Sequence, residues 1–187
     1  MRKNFGAKPY LYPMPVFIVA AYDEEGKPNA MNAAWGGMSE DTEISLCLSP
    51  FHKTVKDILV SGAFTVSFAD AAHVVECDYV GVVSGNDEPE KMTKSGLHTT
   101  RSEFVNAPLI DELPMAVECT FKSYDAENCR MVGEIVNVCA DESILDADGN
   151  IDVTKLDPIT YDPVSHEYRR LGEVVGKAFS DGLKLKK

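Results

Sequence analysis

An antiparallel β core, closed into a barrel or sandwich and edged by short helices, is the fold this sequence predicts. Three observations carry it. Short β-prone runs recur along the chain, two pairs of them are joined by compact polar turns, and helical periodicity is confined to brief segments. No internal repeat, low-complexity tract or linker interrupts the 187 residues, so one domain over 1–187 is expected.

Residues 14–22 are a nearly continuous apolar run, expected as a buried first strand. Asp23-Glu24-Glu25-Gly26 is a strong turn, and residues 29–35 return from it as a hairpin. Over 43–49, Ile44, Leu46 and Leu48 alternate with Ser45, Cys47 and Ser49, which predicts a third strand. Thr54 is placed to cap a helix over 55–61, with Asp57 as its capping-box partner and Gly62 as its stop. Residues 64–68 alternate as a strand. Val74, Val75 and Tyr79 give helical spacing over 71–80, and residues 81–85 read as a turn. From 86 to 108 the chain is polar and punctuated, with a helical turn near 90–94. Residues 115–124 and 131–140 form a second hairpin about 125–128. A loop at 146–150, a short strand at 159–161 and a helix over 172–179 complete the chain.

A hydrophobic share of 44% and a charged share of 26% are those of an ordinary globular protein. The net charge of -12 argues against a nucleic-acid backbone as partner, because phosphate tracking needs clustered Lys and Arg. Five cysteines without a C-x-x-C pair read as buried thiols in a reducing compartment. The basic start lacks an apolar signal core, and no stretch approaches a membrane span. A cytoplasmic protein with no membrane contact is expected.

The segment Pro28-Asn29-Ala30-Met31-Asn32-Ala33-Ala34-Trp35 is a poor strand by composition. Small side chains let something flat approach the backbone, and the two amides can donate and accept. That points to a planar cofactor; an ordinary edge strand is the competing reading. Ser49-Pro50-Phe51-His52-Lys53-Thr54 brings hydroxyls, an imidazole and an ammonium to a helix start, a natural anion site; a plain helix cap is the alternative. A ring surface beside an anion site describes a mononucleotide. No G-x-G-x-x-G or G-x-x-x-x-G-K-[ST] loop is present, which disfavours Rossmann and P-loop enzymes. The four histidines are isolated, so no metal site is expected, and no G-x-S-x-G supports acyl transfer.

Taken in order, Tyr12-Pro13-Met14-Pro15-Val16, the 28–35 and 49–54 segments, residues 78–85, Lys91, Ala107-Pro108, Glu118-Cys119 and residues 168–172 carry a resemblance. The chain resembles the flavoredoxin and flavin reductase-like proteins, which hold FMN on an antiparallel split β-barrel. The resemblance implies an FMN-binding oxidoreductase, a homodimer with its flavin sites near the subunit interface. Electrons would come from NAD(P)H or a redox protein. It implies that Asn29, Ala30, Met31, Asn32, Ala33, Ala34 and Trp35 line the isoalloxazine, with Asn32 at its polar edge. Ser49, Pro50, His52, Lys53 and Thr54 would hold the phosphate, Lys91 would add charge, and Tyr168 would lie near the ligand. No catalytic side chain is nominated, because the flavin itself carries the chemistry. Asn32 stands where such proteins often have Thr, and His52 where they often have Arg, which implies a weaker or more pH-sensitive phosphate site. An electron carrier without NAD(P)H turnover and a non-redox ligand-binding barrel remain the alternatives.

Overall fold

Residues 1–186 are described by the structure, a computed structural model. The first strands are β1 (Met14–Pro15), β2 (Phe17–Tyr22), β3 (Pro28–Ala33), β4 (Gly36–Glu40) and β5 (Glu43–Cys47). Helix α1 (Lys53–Ser61) leads to β6 (Ala63–Phe68), then to α2 (Val74–Val82) and α3 (Lys91–Ser95). There follow β7 (Thr99–Arg101), β8 (Pro108–Ile110), β9 (Met115–Asp125) and β10 (Arg130–Ala140). Helix α4 (Val153–Leu156), β11 (Ile159–Asp162) and β12 (Glu167–Arg170) close the ordered body. The main sheet is antiparallel in the order β3-β2-β6-β9-β10-β5-β4 and curls into the half-barrel of a split-barrel fold.

Both predicted hairpins form. In the first turn Asp23 Oδ1 accepts the amides of Glu25 and Lys27 at 3.0 and 2.9 Å, and Gly26 takes φ +76°. In the second, Asp125 Oδ1 accepts the Glu127 and Asn128 amides before the chain re-enters β10. Between them, β2 is buried on both faces, which explains its unbroken apolar sequence. Val19 and Ala21 point into the barrel with Leu46, Phe64, Val66 and Met131. Ile18 and Ala20 point the other way, into a second core with Cys77, Val80 and Ile110 beneath α2. Each fully buried large side chain contributes about 1.5–3 kcal/mol, so the two cores together hold the sheet between them.

Several expectations fail for physical reasons. The 14–22 run divides at Val16, because Met14 and Pro15 pair with β11 in a separate three-stranded sheet. Strand β3 ends at Ala33, leaving Trp35 outside it and 54% exposed; the 43–49 strand ends at Cys47. β4, β7, β8 and β12 were not foreseen: β4 and β7 are rich in Gly, Ser and Thr, and β8 and β12 are only three and four residues long. The turn expected at 81–85 begins later, since α2 runs through Val82. The helix expected over 172–179 does not form. Val174 and Val175 are 88% and 96% exposed, so nothing buries an apolar face, and a short helix without such burial is unstable. The tail ends in a 3-10 turn over Asp181–Leu185 and does not pack on the barrel. Among the thiols, Cys77 and Cys119 are buried as expected, but Cys47 is exposed and Cys129 and Cys139 are half-buried.

At Gly133 of β10 the barrel wall lies directly against the Phe64 ring. A Cβ there would meet Phe64 Cζ at 2.3 Å and Cε1 at 2.7 Å, and Phe64 is fully buried. Gly133→Ala is expected to cost about 1–3 kcal/mol by overpacking, read as a lower urea midpoint; an unchanged midpoint would mean that the Phe64 ring shifts freely.

Candidate functional site

The site grows from the joint between β3 and α1. Thr54 does not cap the helix: α1 starts two residues earlier than expected, His52 stands at the N-cap, and no side chain caps the first turn. Thr54 and Asp57 turn inward instead. The Asn29 amide, 5% exposed on β3, donates to Thr54 Oγ1 and to Asp57 Oδ2, both at 2.9 Å. Lys53 Nζ closes the network on Asp57 Oδ1 at 2.9 Å and Asp23 Oδ2 at 3.2 Å. Burial alone would lower the Lys53 ammonium, but Asp57 and Asp23 outweigh it and hold it above its ordinary value. The expected capping box is thus a buried lock between helix and strand. It leaves the first turn of α1 without a side-chain cap, the kind of helix start that can take an anion.

Above this joint opens a cleft of about 210 Å³, lined by Asn29, Met31, His52, Lys53, Thr54 and Lys91 on one side. Its other wall is the end of α2 and the loop after it, residues 80–85. Two glycines permit that wall to close down. A Cβ on Gly81 would meet Asn32 Cβ at 2.7 Å, and one on Gly85 would meet Asn29 Oδ1 at 2.8 Å. Lys91, the first residue of α3, is only 3% exposed, yet its ammonium has no hydrogen-bond or ion-pair partner among the described residues. Burial pushes its pKa down to about 8, against an upward pull from Asp57. His52 sits at the rim, where partial burial and then the Lys91 charge lower its imidazole below the ordinary value. A largely buried lysine whose ammonium has no direct hydrogen-bond partner, in the same cleft as an uncapped helix start, is an arrangement that an anion would complete.

The first cleft continues along β3. A second, of about 280 Å³, shares Gly81 and Val82 with it and is lined by Asn32, Ala34, Asp78, Tyr161 and Tyr168. Here Asn32 Nδ2 donates to the Cys77 carbonyl at 3.3 Å, and the Tyr168 hydroxyl donates to Asp78 Oδ1 at 2.7 Å. Burial, and then that carboxylate, hold the Tyr168 phenol well above its ordinary value. A third cleft, about 540 Å³, passes from Ala34 over Trp35 and Gly36 to Tyr10 and Leu11 of the N-terminal arm.

Of the residues nominated from sequence, Asn29, Met31, His52, Lys53, Thr54 and Lys91 share the first cleft, and Asn32, Ala34 and Tyr168 the second. Ala30 lies fully buried beneath α2 and Ala33 in the barrel core, so their side chains face packing rather than open space. Ser49 and Pro50 line neither cleft; Ser49 Oγ accepts the Phe51 amide at 3.4 Å in the approach to α1. Asp78, Gly81 and Gly85 were missed as site residues; two glycines four apart, directly after a helix, were the available signal. Another cleft, about 570 Å³ around Asp70, His73 and Cys139, contains none of the nominated residues. Its Asp70 carboxylate is spent on the Ala72 and His73 amides and the His73 ring. No group of side chains among the described residues is arranged to hold a metal, and no described helix is long and apolar enough to cross a membrane.

Comparison with known proteins adds the family context. The sequence pattern of the flavin reductase like domain matches residues 10–162. The flavoredoxin of Desulfovibrio vulgaris (Miyazaki F) is 40% identical and superposes with a TM-score of 0.92, over 97% of this chain and 100% of that one. The flavoredoxin from Methanosarcina acetivorans is 26% identical with a TM-score of 0.86, covering 99% of each chain. An uncharacterized protein of Aeropyrum pernix is 33% identical over 110 residues, 58% of this chain; the match spans only 41% of that protein's length.

The Lys91 environment has a testable signature. Its folded pKa of about 8 lies below the unfolded lysine value of about 10.4, so the unfolded chain binds the extra proton between those limits. The ligand-free protein should gain stability from this residue as pH rises from 8 to 10. Urea unfolding of Lys91→Gln across that window is expected to lack this gain; parallel curves for the two proteins would refute it.

Proposed function

The chain belongs to the flavin reductase-like domain family, and from that premise we propose that it binds FMN and works as an oxidoreductase passing electrons through it. The observation that carries the proposal is the buried, unpaired Lys91 ammonium facing a cleft at the uncapped start of α1. A phosphate monoester supplies the missing counter-charge and accepts the free amides. Lys91, His52 and the first-turn amides would hold the phosphate. Lys53 and Thr54, committed to Asp57 and Asn29, would shape the cleft more than bind through their own side chains. Ser49 and Pro50 would set the entry into α1.

The ring would lie along the open end of β3, against Asn32, Ala34 and Trp35, with Met31 between ring and phosphate. Ala30 and Ala33 would contribute backbone only. Asn32, flanked by the Tyr168–Asp78 pair, offers an amide to the polar edge of the ring, where donors stabilise negative charge. When bound, FMN supplies the capacity to take up two electrons from a hydride donor and release them to an acceptor. NAD(P)H or a redox protein would donate the electrons, and the active form would be a cytoplasmic homodimer with the flavin near the subunit interface; the five free thiols suit a reducing compartment. The chain spans 41% of the Aeropyrum protein, so nothing about that whole protein's partners is carried over.

A second reading, an electron carrier without NAD(P)H turnover, is favoured by the 40% identity to a protein named flavoredoxin and by the absence of a dinucleotide loop in the sequence. Anaerobic titration of the FMN-loaded protein with NADH and then NADPH separates the two: bleaching of the flavin band at a turnover-competent rate supports the reductase, and no bleaching by either supports the carrier. The phosphate assignment has its own measurement. Lys91→Gln is expected to weaken FMN binding by about 10–100-fold, the worth of one charge-assisted contact, while riboflavin, which lacks the phosphate, binds both proteins alike. Because the ammonium titrates near 8, FMN affinity of the natural protein should fall as pH rises past that value. Equal losses for FMN and riboflavin would reject the phosphate role; a protein that binds neither flavin would reject the whole assignment.

A further inference from the structure

Three of the five thiols are poor nucleophiles. Burial pushes Cys77 and Cys119 up to about 12, and burial also raises Cys139, which donates to the Ala116 carbonyl at 3.7 Å. The thiolate is the reactive form, so these three are inert near neutrality. Cys47 and Cys129 are placed differently. Cys47 ends β5 in solvent, and Cys129 is the half-exposed last residue of the turn before β10.

The ladder brings the two together. Cys47 is the register partner of Arg130, and the next link, from the Leu48 amide to the Cys129 carbonyl at 2.7 Å, extends the pairing one residue past the strand. Strand spacing and rise put such diagonal Cα atoms ~6 Å apart, inside the roughly 4.4–6.8 Å span a disulfide tolerates. In a regular ladder the two side chains would point to opposite faces. Cys129, however, has φ 56°, in the left-handed region, and stands outside the barrel core that takes up its neighbour Met131. Both thiols also act on the Tyr124 phenol, which burial first, then Cys129 and Cys47, raise above its ordinary value. Arg130 lines one cleft with Cys47.

We propose that Cys47 and Cys129 are a redox couple, a dithiol that closes reversibly to an intramolecular disulfide across the β5–β10 edge. With a small-molecule disulfide as oxidant, the thiolate of one cysteine attacks a sulfur of that molecule, breaking its S–S bond and expelling one thiolate. The second protein thiolate then attacks the mixed disulfide, forming the Cys47–Cys129 bond and expelling the second thiolate. Two electrons pass to the small molecule, whose two thiolates take up the protons the protein thiols lost. The bond would pin the β9–β10 turn to β5 beside Trp35, whose carbonyl already accepts the Cys47 amide at 2.8 Å. The proposal is independent of any bound flavin.

The test uses the natural protein equilibrated in reduced and oxidised glutathione at graded ratios, then alkylated, digested and mapped by mass. The expected result is the joint loss of two alkylatable thiols of the five at one midpoint, with a peptide pair joined through Cys47 and Cys129. Cys47→Ser should leave Cys129 able only to hold a single glutathione, and Cys129→Ser the converse. Glutathione on both residues independently, a Cys47–Cys47 link between chains, or both thiols still alkylatable under oxidising buffer would overturn the proposal. These three outcomes are read on the natural protein and do not require the variants to fold.

Discussion

The Asn29 amide is the constraint on which the candidate site depends. It sits in β3, buried between barrel and helix, and its two hydrogens are both spent on α1 residues. An unmade bond to either buried acceptor would cost about 1–3 kcal/mol, so helix and strand keep one relative position. That position fixes where the uncapped α1 amides point and how deep Lys91 can lie. Gly85 completes the constraint from the other side, because any side chain there would collide with Asn29 itself. The cleft is therefore defined by strand, helix and loop meeting at a single residue.

The charge pattern of the molecule is local and not global. A chain of net charge -12 repels anions at long range, yet its first cleft gathers Lys91, Lys53, His52 and a helix start. Asp57 and Asp23 both bond Lys53 directly, while Lys91 feels Asp57 only at a distance. The two carboxylates thus balance the two ammoniums, and the cleft is polarised rather than net positive, with Lys91 at the end that lacks a direct partner. If the proposed phosphate binds here, the site would discriminate by depth, because the anionic group would have to pass under the residue 80–85 wall.

What could be seen in the sequence was what is local. The turns at Asp23 and Asp125 announce themselves through residues that bond their own backbone, and the two hairpins follow. Trp35 and β4 did not, because Gly36, Gly37 and Ser39 are poor strand formers held by pairing with β5. Thr54 and Asp57 show why motif spacing misleads. The spacing suits a capping box, but Asn29, 25 residues from Thr54 in sequence, captures both side chains. Lys91 could be nominated only by resemblance, since nothing local in a sequence says that a lysine is buried. Ala30 and Ala33 were placed on the right strand with no way to know that each of them packs into one of the two cores.

The solitary ammonium of Lys91 also bears on the life of the protein in the cell. If the proposed anion seats beside Lys91, the filled fold is more stable than the empty one, and binding raises the opening free energy by mass action. Proteases sample the opened population. Steady-state abundance would then rise and fall with the supply of that anion, making the amount of protein a gauge of its own occupant.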